Sequence, residues 1–382
     1  MLKLSGRVKE INNVEKGVFS ISTDINLPNV LRKTKAFYLK AKQDIPDGYL
    51  FYLADDSQHE QLVKKGLPHL IVKEDFNYID NNDIIKIYDD GFMAVLYRAN
   101  SNHNSFLVTE QCNHYCLMCS QPPKRRDDSF LLDEIKQALP LIPKWTNEIG
   151  FTGGEPTLFG DNFLNLLELT KSYLPNTAIH ILSNGRTFAQ HEFVKKYAAI
   201  NHHDMMVGIP LYSDDPKLHD YIVQADGAFD ETLLGILNLK KLNQKVEIRI
   251  VIHQQSIPTL VSLCDFITRN LLFVDHVALM GLEMMGFTRA NIDKLWIDPY
   301  DYKDILSEAV AVLESARMNI SVYNHQLCLI NNDVKNYYRK SISDWKNEYA
   351  KECQTCTKIN ECGGFFSSGL AHKYSVNLKP FI

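Results

Sequence analysis

Cys112-Asn-His-Tyr-Cys116-Leu-Met-Cys119 places three thiols within eight residues, at a Cys-x3-Cys-x2-Cys spacing. The next cysteine along the chain is Cys264. Soft thiolates this close together select zinc or an iron–sulfur cluster. A closed structural zinc site uses four ligands, and a four-iron cluster usually takes four thiolates. Three local ligands therefore fit a cluster in which one iron stays open to a ligand from outside the protein.

The sequence around this stretch alternates apolar strands with helical segments from about residue 104 onward. We predict strands at 105–109, 148–152, 178–182, 205–211, 246–252 and 276–282. We predict the intervening helices at 130–141, 162–174, 188–200, 228–242 and 258–270. Alternating units of this length indicate a parallel sheet that curls into a partial (β/α)6 TIM-like barrel, which is an α/β fold.

Three polar or cysteine-rich runs directly follow predicted strands. They are the cysteine stretch, Gly153-Gly154-Glu155-Pro156 and Ser183-Asn184-Gly185. Functional sites in such barrels lie at the carboxyl ends of the strands. We therefore expect the three runs to meet on one face of the barrel.

The cysteine spacing and the Gly-Gly-Glu run resemble the radical S-adenosylmethionine (SAM) superfamily. The resemblance implies that Cys112, Cys116 and Cys119 hold a [4Fe-4S] cluster whose fourth iron binds SAM. It also implies that reductive cleavage of SAM gives a 5′-deoxyadenosyl radical, which abstracts a hydrogen atom. Met118 stands where relatives often have an aromatic residue. A structural zinc loop is the alternative interpretation.

The resemblance also implies a set of SAM-binding residues. Gly153, Gly154, Glu155 and Pro156 correspond to the run that holds the SAM amino group, and a carboxylate suits an ammonium. Ser183 and Asn184 correspond to a run that contacts the ribose or carboxylate, although a helix N-cap explains them equally well. Arg249, if it points into the barrel, is a candidate partner of the SAM carboxylate; the alternative is an outward-facing Arg249 paired with Glu247 or with a carboxylate on a helix. Gly281 lies where relatives pack against adenine, and a plain strand end is the alternative.

A second group of cysteines lies near the carboxyl terminus. Cys353, Cys356 and Cys362 follow a Cys-x2-Cys-x5-Cys spacing, and Cys328 lies upstream. Four thiolates fit an auxiliary [4Fe-4S] cluster or a zinc site, and the family resemblance favours the cluster. Cys264 has apolar neighbours on a predicted helix and is interpreted as buried packing.

The first part of the chain differs from the barrel region. Short β-type runs occupy 17–22, 49–53, 83–87 and 92–97, and Asp-Gly pairs at 47–48 and 90–91 predict hairpin turns. We predict three regions. The first, at 1–103, is a small β-rich domain in the form of a compact barrel, for docking or substrate recognition. The second is the (β/α) barrel at 104–320, and the third is a cysteine-rich metal region at 321–382.

Composition sets further limits. The 382 residues are 45% hydrophobic and 23% charged, with a net charge of −5. A mildly acidic chain gives no reason to expect nonspecific nucleic-acid binding. The sequence contains no apolar run of about 20 residues that would span a membrane, and its start lacks a signal-peptide core. We expect a cytoplasmic protein whose clustered cysteines bind metal.

A narrower resemblance is carried by six stretches, at 113–123, 278–283, 286–291, 296–300, 341–349 and 362–368. They are similar to the His-Xaa-Ser system radical SAM maturases, from about residue 84 to the carboxyl terminus. This resemblance implies a ribosomally synthesised precursor peptide with His-Xaa-Ser repeats as substrate. It also implies companion maturation proteins and an electron donor such as flavodoxin or ferredoxin.

Two other functions stay open at the level of sequence. One is radical chemistry on a small molecule, and the other is a metal-bound scaffold without turnover. The Gly153–Glu155 and Ser183–Asn184 runs argue against the scaffold, because a scaffold needs no SAM pocket. The sequence does not single out a catalytic acid, base or radical-relay residue.

Overall fold

Two β-sheets organise the chain in the computed structural model, which describes residues 3–40, 43–340 and 347–382. Part of the resemblance at 341–349, including Trp345, lies outside the described residues. The amino-terminal sheet has eight strands: β1 Ser5–Arg7, β2 Glu10–Asn12, β3 Gly17–Ser22, β4 Ala36–Tyr38, β5 Tyr52–Ala54, β6 His69–Ile71, β7 Ile84–Ile87 and β8 Phe92–Tyr97. Two short helices accompany them, α1 Asn29–Arg32 and α2 His59–Lys64.

One continuous segment holds both ends of the amino-terminal sheet. The strand order is β1-β8-β7-β3-β4-β5-β6-β2, so β1 pairs with β8 and β2 pairs with β6. Between them, the N–H of Val8 donates to Gly91 and that of Lys9 donates to Ile71. The segment 5–12 therefore closes the sheet around an apolar core that includes Phe51, Leu70 and Ile85.

The two Asp-Gly pairs have different outcomes. Asp90–Gly91 connects β7 and β8, which pair antiparallel as expected for a hairpin. The hairpin predicted at Asp47–Gly48 is wrong, because β4 and β5 on either side of it pair in parallel. A parallel pair needs a crossover rather than a tight turn.

The second sheet is parallel throughout and has seven strands. They are β9 Asn104–Thr109, β10 Glu148–Gly153, β11 Ala178–Leu182, β12 Met205–Pro210, β13 Lys245–Ile252, β14 His276–Gly281 and β15 Ile320–Tyr323. The strands follow one another in sequence order across the sheet. The predicted α/β class with a curled parallel sheet is thereby confirmed. The seventh strand continues the sheet beyond the six predicted strands and begins at residue 320.

Helices cover the outside of this sheet. They are α3 Phe130–Ala138, α4 Asp161–Tyr173, α5 His191–Ala199, α6 Pro216–Val223, α7 Ala228–Lys241, α8 Leu260–Asn270, α9 Phe287–Ala290, α10 Ile292–Leu295 and α11 Pro299–Ser315, and α12 Ser367–His372 follows in the carboxyl-terminal region. Apolar residues at helical spacing, such as Phe163, Leu166 and Leu167 on α4, are buried against the strands. No helix within the described ranges is long and apolar enough to cross a membrane.

Candidate functional site

The three cysteines of the first group lie on one loop between β9 and α3. All three line a cavity of about 600 Å³ inside the barrel. Gly153, Gly154, Ser183, Asn184, Arg249 and Gly281 line the same cavity. The cysteine stretch and residues of the two predicted polar runs therefore meet at the carboxyl edge of the sheet.

The loop after β10 packs directly against the start of the cysteine loop. The N–H of Gly154 donates to the carbonyl of Thr109, and that of Glu155 donates to Gln111, both at 2.8 Å. A Cβ on Gly154 would stand 2.0 Å from the Gln111 oxygen and 3.0 Å from the Cβ of Cys112. Only glycine permits this approach, so Gly154 sets the distance between the cysteine loop and β10.

The carbonyl groups of the cysteine loop are held from the segment 286–291. The N–H of Phe287 donates to Cys119 (2.8 Å), Oγ1 of Thr288 donates to Met118 (3.1 Å), and Nδ2 of Asn291 donates to Leu117 (2.9 Å). This segment is one of the stretches that carry the family resemblance, but its local sequence pattern indicates no role. It lies about 170 residues from the loop that it binds.

The same loop is held on its other side by the end of α6. The N–H groups of Tyr115 and Leu117 donate to the carbonyls of Val223 and Ile222. Met118 is buried and packs in an apolar cluster with Tyr212 and Ile222. The residue that departs from the aromatic pattern of relatives is therefore a packing residue here.

A buried carboxylate anchors the entry to the loop, and sequence reasoning missed it. Asp128 is fully buried and accepts hydrogen bonds from Oγ1 of Thr109, the N–H of Glu110 and Nε2 of Gln111. Its only sequence signal is an acidic residue shortly before α3, which is common at helix starts. The three contacts fix the backbone direction just before Cys112.

The carboxylate of Glu155 is turned into the protein rather than toward the cavity. It is 0% exposed. Its Oε1 accepts from the N–H of Thr157 (3.1 Å), from Oγ1 of Thr157 (2.6 Å) and from Oγ of Ser183 (2.8 Å), and its Oε2 accepts from the N–H of Asn184 (2.6 Å). Burial raises its pKa, and these hydrogen bonds oppose the rise. Glu155 therefore joins two strand ends, and Pro156 is buried beside it.

Asn184 forms a cap-like turn, in line with the N-cap interpretation, and its contact with SAM stays a prediction. The carbonyl of Asn184 accepts from Oγ1 of Thr232 (3.0 Å), and its Oδ1 accepts from the N–H of Arg186 in a cap-like turn (3.0 Å). Its Nδ2 donates to Oδ1 of Asn113 in the cysteine loop (2.6 Å). The side chain therefore both shapes the local turn and links this strand end to the cysteine loop.

Arg249 points into the barrel and is paired there. Its Nη1 lies 2.6 Å from Oε1 of Glu247, and its Nη2 lies 3.3 Å from Sδ of Met280. Glu247 also contacts Nδ1 of His276 at 2.6 Å. Burial would raise the pKa of Glu247, but contacts with His180, His276 and Arg249 hold it well below its usual range. The guanidinium faces inward, as the SAM-binding interpretation requires, but its partner is Glu247, which was expected only for an outward-facing Arg249.

The thiols of the cysteine loop lie in a poorly hydrated environment. Burial raises the pKa of all three, and that of Cys112 reaches about 12. The neighbouring His114 is also buried, and its pKa falls to about 3, first because of burial. Metal binding to such thiols must displace their protons.

The second group of cysteines lines a separate small cavity of about 20 Å³: Cys328, Cys353, Cys356 and Cys362. Leu327, Ile359 and Phe381 contribute to its apolar wall. The Sγ of Cys362 accepts from the N–H groups of Leu327 (3.5 Å) and Gly364 (3.4 Å). Cys264 lies elsewhere, on α8, where it is buried in the core.

A third cavity, of about 60 Å³, lies between the barrel mouth and the carboxyl-terminal region. Gly281, Leu282 and Asn324 line both this cavity and the barrel cavity. Gln326, Gly364 and Phe365 line both it and the second cysteine cavity. The three cavities therefore share walls in a row. Gly281 permits this packing, because a Cβ there would stand 2.3 Å from the Asn324 oxygen.

Comparisons with known proteins agree with this architecture. Residues 106–267 match the family model described as the Radical SAM superfamily. Native anSMEcpe with bound AdoMet and Cp18Cys peptide is 15% identical, covers 72% of this chain and 91% of its own, and gives a TM-score of 0.50. Streptococcus suis SuiB bound to S-adenosylmethionine is 17% identical, covers 59% of this chain and 47% of its own, and gives a TM-score of 0.44.

At these identities the structural likeness concerns the fold. A search of curated proteins found no significant match. The family model spans β9 to α8, which includes the cysteine loop, the Gly-Gly-Glu run and the Ser-Asn run. Residues 106–267 of this chain therefore form a domain of the radical SAM superfamily.

Proposed function

We propose that this chain is a radical SAM enzyme that modifies a ribosomally synthesised peptide. The superfamily implies an enzyme with a [4Fe-4S] cluster and SAM. The observation that carries the proposal is the single barrel cavity that Cys112, Cys116 and Cys119 share with the glycine backbone and the polar strand ends. When bound, the cluster supplies the electron that cleaves SAM to the 5′-deoxyadenosyl radical.

Different residues of the chain would bind the cluster and the separate parts of SAM. The three cysteines hold three irons, and the backbone of Gly153 and Gly154 lies beside them for the SAM amino group. Ser183 and Asn184 offer small polar groups for SAM hydroxyls or the carboxylate, in positions fixed by Glu155. Arg249 offers a guanidinium on the opposite wall of the cavity, and Gly281 leaves space at the mouth.

We also propose an auxiliary [4Fe-4S] cluster on Cys328, Cys353, Cys356 and Cys362, with zinc as the alternative metal. Four thiolates suit either group, and the family resemblance favours the cluster. The apolar wall of the cavity suits a cluster shielded from water.

We propose that a peptide substrate binds at the barrel mouth. The cavity there extends from Gly281 to the carboxyl-terminal region and is lined by Trp296, Tyr374 and Phe366. A precursor with His-Xaa-Ser repeats is the substrate that the family resemblance favours. Companion maturation proteins and a flavodoxin or ferredoxin as electron donor complete this proposal for a cytoplasmic enzyme.

The test is anaerobic reconstitution with iron and sulfide, followed by addition of dithionite and SAM. The expected products are 5′-deoxyadenosine and methionine, with about eight irons per chain. Cys353→Ala should lower the iron content by about half and leave the SAM-dependent spectrum of the first cluster, while Cys264→Ala should keep the full iron content.

Absence of 5′-deoxyadenosine from a fully loaded protein would exclude the enzyme. A zinc content of one per chain that disappears in Cys353→Ala would instead identify the second site as zinc. Stimulation of 5′-deoxyadenosine formation by a His-Xaa-Ser peptide, but not by a peptide of scrambled sequence, would support the substrate class. Equal rates with both peptides would argue for a different substrate.

A further inference from the structure

We propose that Glu10, His59 and His69 form a binding site for a divalent transition metal ion, best suited to zinc, in the amino-terminal domain. One ligand atom from each side chain lies within 4.8 Å of the other two. The residues come from three elements: Glu10 from β2, His59 from the start of α2 and His69 from β6. The site is separate from both cysteine groups and does not depend on the function proposed above.

The state of the His69 ring is the main argument for a ligand. The side chain is 0% exposed, and its Nδ1 lies 2.7 Å from the carbonyl oxygen of Leu67. A carbonyl oxygen can only accept, so Nδ1 carries the ring proton and Nε2 carries a lone pair. Within the described part of the chain, that buried Nε2 has no hydrogen-bond partner. An unpaired buried acceptor is costly, and a metal ion would satisfy it.

The same contact matches the way proteins prepare a histidine for metal binding. A ligating imidazole usually donates its second N–H to a carboxylate or a backbone carbonyl, which fixes the tautomer and the ring orientation. The Leu67 carbonyl performs this role for His69. His69 is therefore already oriented with its free nitrogen available.

Glu10 and His59 supply the remaining ligands. Oε1 of Glu10 lies 3.1 Å from Nε2 of His59, and the His59 and His69 rings lie 5.5 Å apart between centroids. Two imidazoles and one carboxylate form a common zinc set that leaves a position for water or another ligand. Oxygen-seeking ions such as Mg²⁺ and Ca²⁺ prefer more carboxylates and carbonyls. The nearby ammonium of Lys9 is paired with Asp56, which reduces its repulsion of a cation.

The position of the site gives the ion a structural consequence. In the β2–β6 pair, Asn12 stands opposite His69 and Glu10 stands opposite Ile71, so Glu10 and His69 lie diagonally on the same face. Strand β2 belongs to the segment 5–12 that closes the amino-terminal sheet. An ion at this position would tie the closing strand to β6 and to α2.

The test uses the full-length protein after cluster reconstitution and removal of loosely bound metal with a chelating resin. Titration with Co²⁺ should show one additional ion per chain, with ligand-field bands and without new thiolate charge-transfer bands. Zn²⁺ should displace the Co²⁺ and should slow hydrogen exchange at 5–12. Glu10→Gln, His59→Gln and His69→Gln should each weaken binding by about 10-fold or more, while His191→Gln at an exposed position should not change it.

Failure of the loaded protein to bind an additional Co²⁺, or retention of full affinity in all three variants, would overturn the proposal. If His69→Gln does not fold, the Co²⁺ affinities of Glu10→Gln and His59→Gln still test the site, because both residues are partly exposed. Binding accompanied by thiolate charge-transfer bands would place the ion on cysteine and would also contradict the proposal.

Discussion

The N–H of Asn184 donates a 2.6 Å hydrogen bond to Oε2 of Glu155, which joins the loop after β11 to the loop after β10. The other carboxylate oxygen binds Ser183 and Thr157. Glu155 is fully buried and accepts all of these bonds from its own chain. Its contribution to the site is therefore to position the residues that face the cavity.

Glu155→Gln tests this positioning role. The Gln amide has an oxygen, which accepts, and an NH2 group, which donates. Its NH2 group must therefore face an N–H or hydroxyl group that now donates to the carboxylate. An unsatisfied buried donor costs about 1–3 kcal/mol. We expect a lower free energy of unfolding by that amount and roughly tenfold weaker SAM binding. Urea unfolding and calorimetric SAM titration measure the two effects.

The matched control is Glu192→Gln, at an exposed position on α5. It should leave both quantities unchanged. If Glu155→Gln binds SAM as tightly as the wild type, the two loops hold their positions without the carboxylate, and the positioning role is excluded.

Gly154→Ala should disrupt the cysteine loop. Its Cβ would overlap the Gln111 oxygen at 2.0 Å and press on Cys112, so backbone must shift. We expect loss of most of the iron of the first cluster, measured by iron content and by the visible spectrum. Gly160→Ala is the control, because no atom lies within 4 Å of the added Cβ. Its φ of 52° adds backbone strain that Gly154→Ala does not have, so the variant should lose stability but no iron.

The local patterns of the sequence were sufficient to predict the barrel and the lining of its cavity. Strand and helix periodicity placed β9 to β14, and the rule that sites follow strand ends placed Cys112, Gly154 and Asn184 together. These inferences depend only on neighbours in sequence and on the regular geometry of parallel sheets.

Features set by tertiary contacts were not accessible in the same way. The inward turn of Glu155 depends on donors from β11, and the segment 286–291 reaches the cysteine loop across the fold. The hairpin predicted at Asp47–Gly48 was wrong because turn chemistry is local, whereas the parallel pairing of β4 and β5 is set by the whole sheet. The sequence offered Glu247 as a partner only for an outward-facing Arg249, whereas the structure combines this pair with an inward guanidinium.

Thr288→Val and Asn291→Ala should loosen the cysteine loop from the segment 286–291. Each removes one side-chain donor to a loop carbonyl and leaves the Phe287 bond to Cys119. A hydrogen bond of this kind contributes about 1 kcal/mol, so each single variant should lose iron faster to a chelator by about fivefold. The double variant should lose it faster than either.

Asn238→Ala is the matched control, because its amide also donates to backbone carbonyls, those of Phe188 and Ala189, but away from the loop. Its iron should leave at the wild-type rate. Equal rates for the double variant and the wild type would mean that the Thr288 and Asn291 side chains do not help to hold the loop.

The stability of the chain before cluster loading should fall as the pH falls from 6.5 toward 4. Burial lowers the pKa of His219 and His325 to about 4 and that of His253 to about 3. Between these values and about 6.5, the unfolded chain binds protons that the folded chain does not. Each such histidine therefore removes about 1.4 kcal/mol per pH unit.

Asp83 acts in the opposite direction, since burial raises its pKa to about 6 and its folded form binds a proton more readily than the unfolded chain. The stabilisation that protonated Asp83 gives the folded chain is lost as the pH rises from about 4 to 6. In that range it cancels the effect of roughly one histidine on the free energy of unfolding. Comparison of variants cancels this contribution, because Asp83 is the same in each.

His253→Asn isolates one of the three histidines. Its ring is fully buried, and its Nδ1 accepts from the N–H of Gln255 at 3.2 Å, a bond that an Asn oxygen can replace. The variant should be less stable than the wild type at pH 7.5 because it leaves a small cavity. Its stability should nevertheless fall less steeply between pH 6.5 and 5, by about one proton in the slope measured by urea unfolding. His191→Asn, at an exposed position, should keep the wild-type slope, and an unchanged slope in His253→Asn would show that His253 is not held neutral by burial.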